Sequence, residues 1–425
     1  MLVAALFGTF VVCLALGVPV AITLGISSVV YLFLADIDLA VVPQFMYSGM
    51  DSFVLLCIPG FVLAGNLMNN GGITDQIVRF GNALVGHIRG GLGLANVTGS
   101  MIFAGISGTA VSETASIGAV MIPAMKKSGY GAGFASALTA AASTVGPIIP
   151  PSVPMIIVGT LTGLSVGRMF LAGAIPGIMM GLGMMLTVYI IARMRNYPKG
   201  EWVGFREVFI SGKAAFWAVL MTLIILFGIV GGIFTPTEAS IVASLYAFAV
   251  GLFIYKGFKL RDLPRIMLES AVGSGALILL VGLANVFGWI LTSEQIPQMI
   301  AGAMLSVTDN KYLILLMINV LLLFVGTFME TIAALIILFP PLLAVALQVG
   351  IDPVQFAIIV IINLMIGLTT PPVGICLFVA GNIGKVPLSV ISREVLPFIL
   401  SNLIVLMLVT FIPALSLWLP SIFFD

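Results

Sequence analysis

The sequence predicts an all-α polytopic membrane protein with two repeats of inverted topology, each containing a broken helix and a re-entrant hairpin. Three observations lead to this fold class. First, 61% of the 425 residues are hydrophobic and only 8% are charged, whereas soluble domains carry about 25% charged residues. Second, two proline-rich stretches, GPIIPPSVP (146–154) and GLTTPPVG (367–374), interrupt long apolar segments. Third, matching motifs recur in the same order in the two halves of the chain.

Apolar segments close to the roughly 20 residues that a helix needs to cross a bilayer recur along the chain. Lysine and arginine mark cytoplasmic loops. Two basic loops, 193–213 and 256–265, therefore place the turn IFTPTEAS (233–240) between them on the external side. Applied to the whole chain, the charge rule and the apolar segments predict ten crossings, with both termini external. The predicted spans are 2–16, 19–35, 52–69, 130–163, 170–192, 214–232, 238–255, 268–292, 354–380 and 396–419.

Two further apolar segments, about 92–125 and 312–347, each have both flanks on one side of the membrane by the same charge rule. Each segment must enter and leave through one face, so we expect two re-entrant hairpins. The first opens towards the cytoplasm and the second towards the exterior. The charges that indicate this are Arg89 and Lys126 for the first hairpin, and Asp309 and Asp352 for the second.

An amphipathic stretch precedes the first hairpin, with Ile73, Ile77 and Phe80 at helical spacing and polar residues on the opposite face. Such a helix typically lies in the plane of the membrane interface. We expect that position for this stretch. We also expect the single histidine, His87, to be a surface residue there.

The motif spacing predicts an internal repeat. Pro19 and Pro236 are 217 positions apart, as are Glu113 and Glu330, and the two Pro-Pro pairs are 221 positions apart. Each copy has five crossings, and an odd number inverts the second copy relative to the first. Inverted repeats with discontinuous helices are the architecture of secondary transporters. We place the first repeat at 1–200 and the second at 201–425.

Broken backbone within a membrane survives only where protein buries it or where it lines a cavity. Proline supplies the break, because it lacks an N–H and clashes with the preceding turn, which frees carbonyl oxygens. Together with serine and threonine hydroxyls, these carbonyls are hard ligands suited to Na⁺. Helix N-termini at the same break suit the carboxylate of an anion.

Each hairpin tip is expected to face the broken span of its own repeat. This pairing predicts one cation site per repeat, with an organic substrate between the two sites. The alternative is that Pro-Pro only kinks the helices while glycine, serine and threonine only allow close packing. The candidate Na⁺ residues are Ser107, Gly108, Thr109, Gly146 and Pro150 in the first repeat, and Gly326, Thr327, Gly367, Thr369 and Pro371 in the second. The candidate substrate residues are Ser112, Ser152, Thr331 and Thr370, and no residue is predicted to be catalytic.

Three acids, Glu113, Glu238 and Glu330, lie at or near membrane depth. Acids there are functional candidates, and proton coupling through them competes with Na⁺ coupling. A structural alternative exists for Glu113 and Glu330. Each follows a hairpin tip, where an acid in the first turn of a helix favours the helix dipole.

At FTPTEAS, GTAVSET, GPIIPPS and GLTTPPVG the chain resembles the large membrane subunit of tripartite ATP-independent periplasmic (TRAP) transporters. The resemblance covers essentially the whole chain. It implies Na⁺-driven uptake of an organic acid, by an elevator mechanism and an elevator-type ion-transporter-like fold, in the bacterial inner membrane. Family substrates include sialic acid, C4-dicarboxylates, sugar acids and keto acids, and the chain looks most similar to sialic-acid members.

The resemblance also implies two partners. One is a small four-helix membrane subunit, which we expect to be a separate chain because no such segment precedes Met1. The other is a soluble periplasmic protein that captures the substrate. Three alternatives remain: a proton-coupled organic-anion transporter, a passive channel and a membrane enzyme. The enzyme is disfavoured because the chain has one histidine and no paired acids on one span.

Overall fold

A computed structural model describes residues 2–308 and 310–424, except for the side chains of Ile106 and Ser107. Within these residues the regular structure is helical, apart from one isolated antiparallel bridge between Arg89 and Lys199. The all-α prediction is confirmed, and its cause is general, since a helix satisfies its own backbone hydrogen bonds inside a bilayer. The α-helices are α1 (Leu2–Ala15), α2 (Val20–Leu34), α3 (Val41–Met50), α4 (Cys57–Asn70), α5 (Ile73–Val85), α6 (Gly91–Ser107), α7 (Ala110–Lys127), α8 (Ala132–Ala142), α9 (Val153–Thr162), α10 (Val166–Met194), α11 (Gly204–Val230), α12 (Pro236–Ala249), α13 (Leu263–Ser293), α14 (Ile296–Val307), α15 (Lys311–Gly326), α16 (Thr331–Gln348), α17 (Pro353–Gly367), α18 (Ile375–Gly384), α19 (Leu388–Glu394), α20 (Leu396–Phe411) and α21 (Ala414–Phe424).

Six helical segments of the described chain are long and apolar enough to cross a membrane, or up to eight when each bent pair counts as one. The sequence predicts ten crossings. Five of the six coincide with predicted spans, and the sixth is α16, the second arm of a predicted hairpin. The difference arises because α1 and α2 have only 14 and 15 residues and because each broken span is divided into two short helices.

Both predicted hairpins are helical hairpins in the structure. The first consists of α6 and α7, joined at Gly108, which has a left-handed φ of +62° that glycine adopts without a Cβ clash. The second consists of α15 and α16, joined by residues 327–330. Asp309, one of the charges used to orient the second hairpin, lies outside the described residues.

Both predicted broken helices are interrupted at the proline pairs. The first comprises α8, a 3-10 turn at Ser143–Val145, an irregular segment and then α9. The second comprises α17, an irregular segment and then α18. Hairpin and broken helix therefore follow each other in the same order in both halves of the chain. The repeat boundary at 200/201 and the inversion of the second repeat stay predictions.

The halves of each broken helix pack on different hairpins. The first half contacts the hairpin of its own half-chain, α8 against α6 and α7, and α17 against α15 and α16. The second half contacts the other hairpin, α9 against α16, and α18 against α7. The α18–α7 contact includes a 2.8 Å hydrogen bond from Lys126 Nζ to the carbonyl of Gly384. This exchange interleaves the two hairpins and brings the two breaks into the same core.

The amphipathic helix α5 does not turn its apolar face to lipid. It packs against α6 and α11, and Ile73 and Ile77 are buried there. A Cβ added at Gly212 of α11 would lie 3.1 Å from the ring of Phe80. Neighbouring helices cover that face, and the position of α5 at the membrane interface stays a prediction.

Glu238, one of the three acids predicted to lie at or near membrane depth, is part of a capping box at the start of α12. Glu238 accepts hydrogen bonds from the backbone N–H of Thr235 at 2.8 Å and from its hydroxyl at 2.9 Å. The hydroxyl of Thr235 accepts in return from the N–H of Glu238 at 3.3 Å. Glu238 is exposed, so its role here is to close the end of a helix.

We therefore expect Thr235→Ala to lower the melting temperature of the detergent-solubilised protein, because losing a helix cap costs about 1 kcal/mol. Substrate uptake should be unchanged. The matched control is Thr292→Ala, since the Thr292 hydroxyl is also exposed but only donates to the carbonyl of Gly288 within its own helix. Equal melting temperatures for the two variants would contradict the cap assignment.

Candidate cation and substrate site

Glu113, in the first turn of α7, faces the first helix break. A Cβ added at Gly146 would lie 2.0 Å from Glu113 Oε2 and 3.3 Å from the carbonyl oxygen of Ser143. The carboxyl group is fully buried and lies near the hydroxyl of Ser100. Neither of its oxygens has a hydrogen-bond partner among the atoms that the structure describes. The first break thus presents a buried carboxyl group beside a backbone carbonyl and a hydroxyl.

The other residues predicted for the first cation site lie at the hairpin tip and in the break. Gly108 is buried at the hairpin tip, where an added Cβ would be 3.0 Å from Val153 of α9. Thr109 is half-buried and precedes the first turn of α7, and Pro150 is buried in the break. The side chain of Ser107 lies outside the described part of the chain. The predicted meeting of tip and break is therefore observed, whereas the bound ion stays a prediction.

The second break meets the tip of the second hairpin through two glycines. A Cβ added at Gly367 would lie 2.5–2.7 Å from backbone atoms of Gly326. The carbonyl of Thr327 accepts a long hydrogen bond of 3.5 Å from the N–H of Gly374, at the far end of the break. Two glycines at this crossing allow direct backbone contact, as the sequence predicts for a tip that faces its own broken span.

The threonines of this second site donate their hydroxyls locally. Thr369 and Thr370 donate to the carbonyl of Ile366 at 2.9 and 2.8 Å, and Thr327 donates to the carbonyl of Phe324 at 2.8 Å. Each hydroxyl oxygen keeps lone pairs that can accept a donor or ligate a cation. Pro371 is half-buried in the break.

The four candidate substrate residues differ in how available their hydroxyls are. Ser112 is exposed, and Thr370 is half-buried. Thr331 is buried, and its hydroxyl lacks a hydrogen-bond partner within the described residues. Ser152 is already used, since it donates to the carbonyl of Pro147 and accepts from the N–H of Met155 at 3.3 Å as the N-cap of α9. Among these four residues, Thr331 therefore combines burial with a hydroxyl that is not already used by another described group.

Glu330 and Glu113, which the spacing makes equivalent, occupy different environments. Glu330 is the N-cap of α16, and its Oε2 accepts from the N–H groups of Ile332 and Ala333 at 2.9 and 3.2 Å. Glu113 lies in the first turn of α7, where an acid favours the helix dipole, but the described residues show no side-chain capping hydrogen bond at that helix start. The structural role therefore fits both acids by position, and Glu330 adds capping hydrogen bonds to it, so Glu113 keeps both its structural and its functional interpretation.

Contacts between flanking segments link the two breaks. The turn Ser143–Val145, which opens the first break, packs against α17. Cys376, the second residue of α18, lies beside Thr114 and Glu113 on α7. The segment that follows the second break therefore touches the helix that carries the acid of the first.

Buried amides near both sites were missed by the sequence analysis. Asn96 of α6 donates to the hydroxyl of Thr139 of α8 at 2.6 Å. Asn363 of α17 donates to the Oδ1 of Asn319 of α15 at 2.8 Å. Their signal in the sequence was an amide within a long apolar run, as in LMINVLLL and VIINLMIG, and polar residues inside membrane segments mark functional sites.

Comparison with known proteins agrees with this architecture. Residues 7–415 match the family model described as the tripartite ATP-independent periplasmic transporter, DctM component. Over 96% of both chains, the sequence is 43% identical to the sialic acid TRAP transporter large permease protein SiaM of Vibrio cholerae. Over 88% of both chains, it is 40% identical to the C4-dicarboxylate TRAP transporter large permease protein DctM of Pseudomonas aeruginosa.

Among solved structures, the chain is similar to the YdaH transporter of Alcanivorax borkumensis, with a TM-score of 0.58 over 89% of this chain and 87% of that one. At 15% sequence identity this likeness shows the fold alone. The family match extends over nearly the whole chain, and two relatives exceed one third identity along almost their full length. The chain therefore belongs to the DctM component family of tripartite ATP-independent periplasmic transporters.

Proposed function

We propose that this chain is the large transport subunit of a Na⁺-coupled TRAP transporter that imports an organic acid across a bacterial inner membrane. The observation that carries the proposal is the Glu113 carboxylate. It is fully buried and faces the break at Gly146, without a partner among the described residues. An unpaired buried carboxylate is costly, and a cation bound beside it removes that cost.

Na⁺ fits the first break because the neighbouring groups are oxygens. The carbonyl of Ser143 and the hydroxyl of Ser100 lie near the carboxylate, and carboxylates, carbonyls and hydroxyls are the ligands of hard cations. In the second repeat the cation would be held by the backbone and hydroxyl oxygens at Gly326, Thr327, Gly367, Thr369 and Pro371. Proton coupling at Glu113 is the competing function, since a proton also neutralises the carboxylate.

The substrate is proposed to lie between the two cation sites, against Ser112, Ser152, Thr331 and Thr370, with Thr331 as its main contact. Sialic acid is the first candidate, because the SiaM relative is named for it, and C4-dicarboxylates are the second. Both carry carboxylates. Binding Na⁺ before or with the anion would balance its charge in a site that contains an acid of its own.

Two partners belong to this proposal. The family name describes a tripartite system, and the relatives are called large permease proteins. We propose a small membrane subunit on a separate chain and a periplasmic protein that delivers the substrate. An elevator movement of the interleaved hairpins and broken helices is proposed as the transport step.

The test is uptake into proteoliposomes that contain this chain with its cognate small subunit, with the binding protein and radiolabelled sialic acid outside. We expect accumulation only when an inward Na⁺ gradient and the binding protein are both present. Accumulation driven by a pH gradient at equal Na⁺ would favour the proton-coupled alternative. Flux that needs neither gradient nor binding protein would indicate a passive channel and refute the proposal.

A further inference from the structure

A hydrogen-bonded relay of buried polar side chains connects three helices beneath the second break. Asn363 of α17 donates through Nδ2 to Asn319 of α15 at 2.8 Å, and also to the carbonyl of Ile359 at 2.8 Å. Asn319 donates to the hydroxyl of Thr410 of α20 at 3.1 Å. Asn363, Asn319 and Thr410 are at most 1% exposed.

The relay lies one to two helical turns before the contact between the hairpin tip and the break. Asn363 is four residues, or one helical turn, before Gly367, and Asn319 is seven residues, or two turns, before Gly326. Gly326 and Gly367 are the residues whose backbones meet at the second site. The hairpin arm α15 and the broken helix α17 therefore contact each other at two levels. The backbones of Gly326 and Gly367 meet at the break, and the side chains of Asn319 and Asn363 form a hydrogen bond one to two turns earlier.

The first repeat has an analogous link. Asn96 of α6 donates to the hydroxyl of Thr139 of α8, again between the first hairpin arm and the first half of the broken helix. The carbonyl of Thr139 accepts from the hydroxyl of Ser143, the residue that opens the first break, at 2.8 Å. In both halves of the chain, a buried asparagine side chain thus makes a hydrogen bond between the first hairpin arm and the first half of the broken helix. This recurrence argues against a chance contact.

We propose that Asn319 and Asn363 are positioning residues for the second cation site: their hydrogen bond fixes the backbone of α17 against α15, so that the oxygens at Gly326 and Gly367 keep the spacing that Na⁺ requires. This inference rests on the proposed function. Neither amide touches the ion. Each acts through the backbone one or two turns away.

The experiment measures the Na⁺ concentration that gives half-maximal uptake, with the whole transporter in proteoliposomes and its binding protein outside. Asn363→Leu should raise this concentration about fivefold to tenfold, while the maximal rate at saturating Na⁺ stays near the wild-type value. An unchanged Na⁺ requirement would overturn the proposal. A wild-type transporter without Na⁺ dependence would instead refute the proposed function, so the two failures are distinguishable.

The double variant Asn319→Leu with Asn363→Leu separates positioning from stability. Replacing both partners of a buried hydrogen bond by apolar groups of similar shape is nearly neutral for stability, whereas removing one leaves the other unsatisfied. We expect the double variant to recover the melting temperature that the single variant loses and to keep the raised Na⁺ requirement. Recovery of both properties would mean that the pair only supports packing.

Asn402→Leu is the matched control. Asn402 lies on α20, is fully buried, and neither of its side-chain polar atoms has a partner in the described part of the chain. Its replacement removes a buried amide without touching the relay, so the Na⁺ requirement should stay at the wild-type value. An equal rise would show that the effect is not specific to the relay. If Asn363→Leu fails to insert, Asn319→Leu removes the same hydrogen bond from the other helix, and an unchanged Na⁺ requirement in that variant overturns the proposal.

Discussion

Glu113→Gln is expected to lower Na⁺-driven uptake by about hundredfold or more at a fixed Na⁺ concentration. In the proposed site the Glu113 carboxylate and Na⁺ form a buried charge pair. Removing one partner of such a pair costs about 3–5 kcal/mol, and each 1.4 kcal/mol changes an equilibrium about tenfold. Glutamine keeps the shape of the side chain at the Gly146 break and removes its charge, so the fold should be retained. The measurement is initial uptake rate against Na⁺ concentration in proteoliposomes.

Glu330→Gln is the control for this variant. Glu330 caps α16 by accepting from the N–H groups of Ile332 and Ala333, and the amide oxygen of glutamine can accept the same bonds. Uptake and its Na⁺ dependence should therefore stay close to the wild type. If Glu113→Gln also transports with wild-type Na⁺ dependence, the carboxylate is not part of the cation site.

Gly367→Ala is the second change with a large expected effect. The added methyl group would lie within 2.7 Å of three backbone atoms of Gly326. Backbone on a packed hairpin tip cannot turn aside as a flexible side chain can. Overpacking of this kind costs about 1–3 kcal/mol, and here the displacement falls on the proposed ligands themselves. We expect Na⁺-dependent uptake to fall by about tenfold or more, with normal membrane insertion.

Gly302→Ala provides the comparison, because a Cβ at Gly302 of α14 meets no atom within 4 Å. This variant should insert and transport as the wild type does. Normal Na⁺-dependent uptake by Gly367→Ala would show that the tip and the break can separate without loss of function, and the second cation site would have to be abandoned.

The sequence predicted the interruptions of the fold well, because proline and glycine act locally. A proline pair removes N–H donors wherever the chain places it, so both broken helices were expected at the observed positions. The sequence likewise predicted that glycines, Gly108 and Gly326, lie at the two hairpin tips. The number of crossings, ten by the charge rule, stays a prediction beside the six to eight helical segments of the described chain that are long and apolar enough to span. The charge rule reports only on which side of the membrane a loop lies. It does not report helix length, and α1 and α2, with 14 and 15 residues, are shorter than the roughly 20 residues that cross a bilayer.

The neighbours of each element were decided by tertiary structure. The spacing made Glu113 and Glu330 equivalent, yet one faces the Gly146 break and the other caps a helix. The pattern of α5 shows an apolar face but does not show that α6 and α11 cover it.

By itself the sequence determined that the chain is a helical membrane protein, where its helices break, and which residues line those breaks. The exchange of half-helices between hairpins, the isolation of the Glu113 carboxylate and the amide relay at Asn363 emerged only from the tertiary structure. The physical reason is that backbone breaks follow from residues adjacent in the chain. Burial, by contrast, depends on contacts between segments as far apart as α7 and α18, and no local pattern encodes which segment will cover a given face.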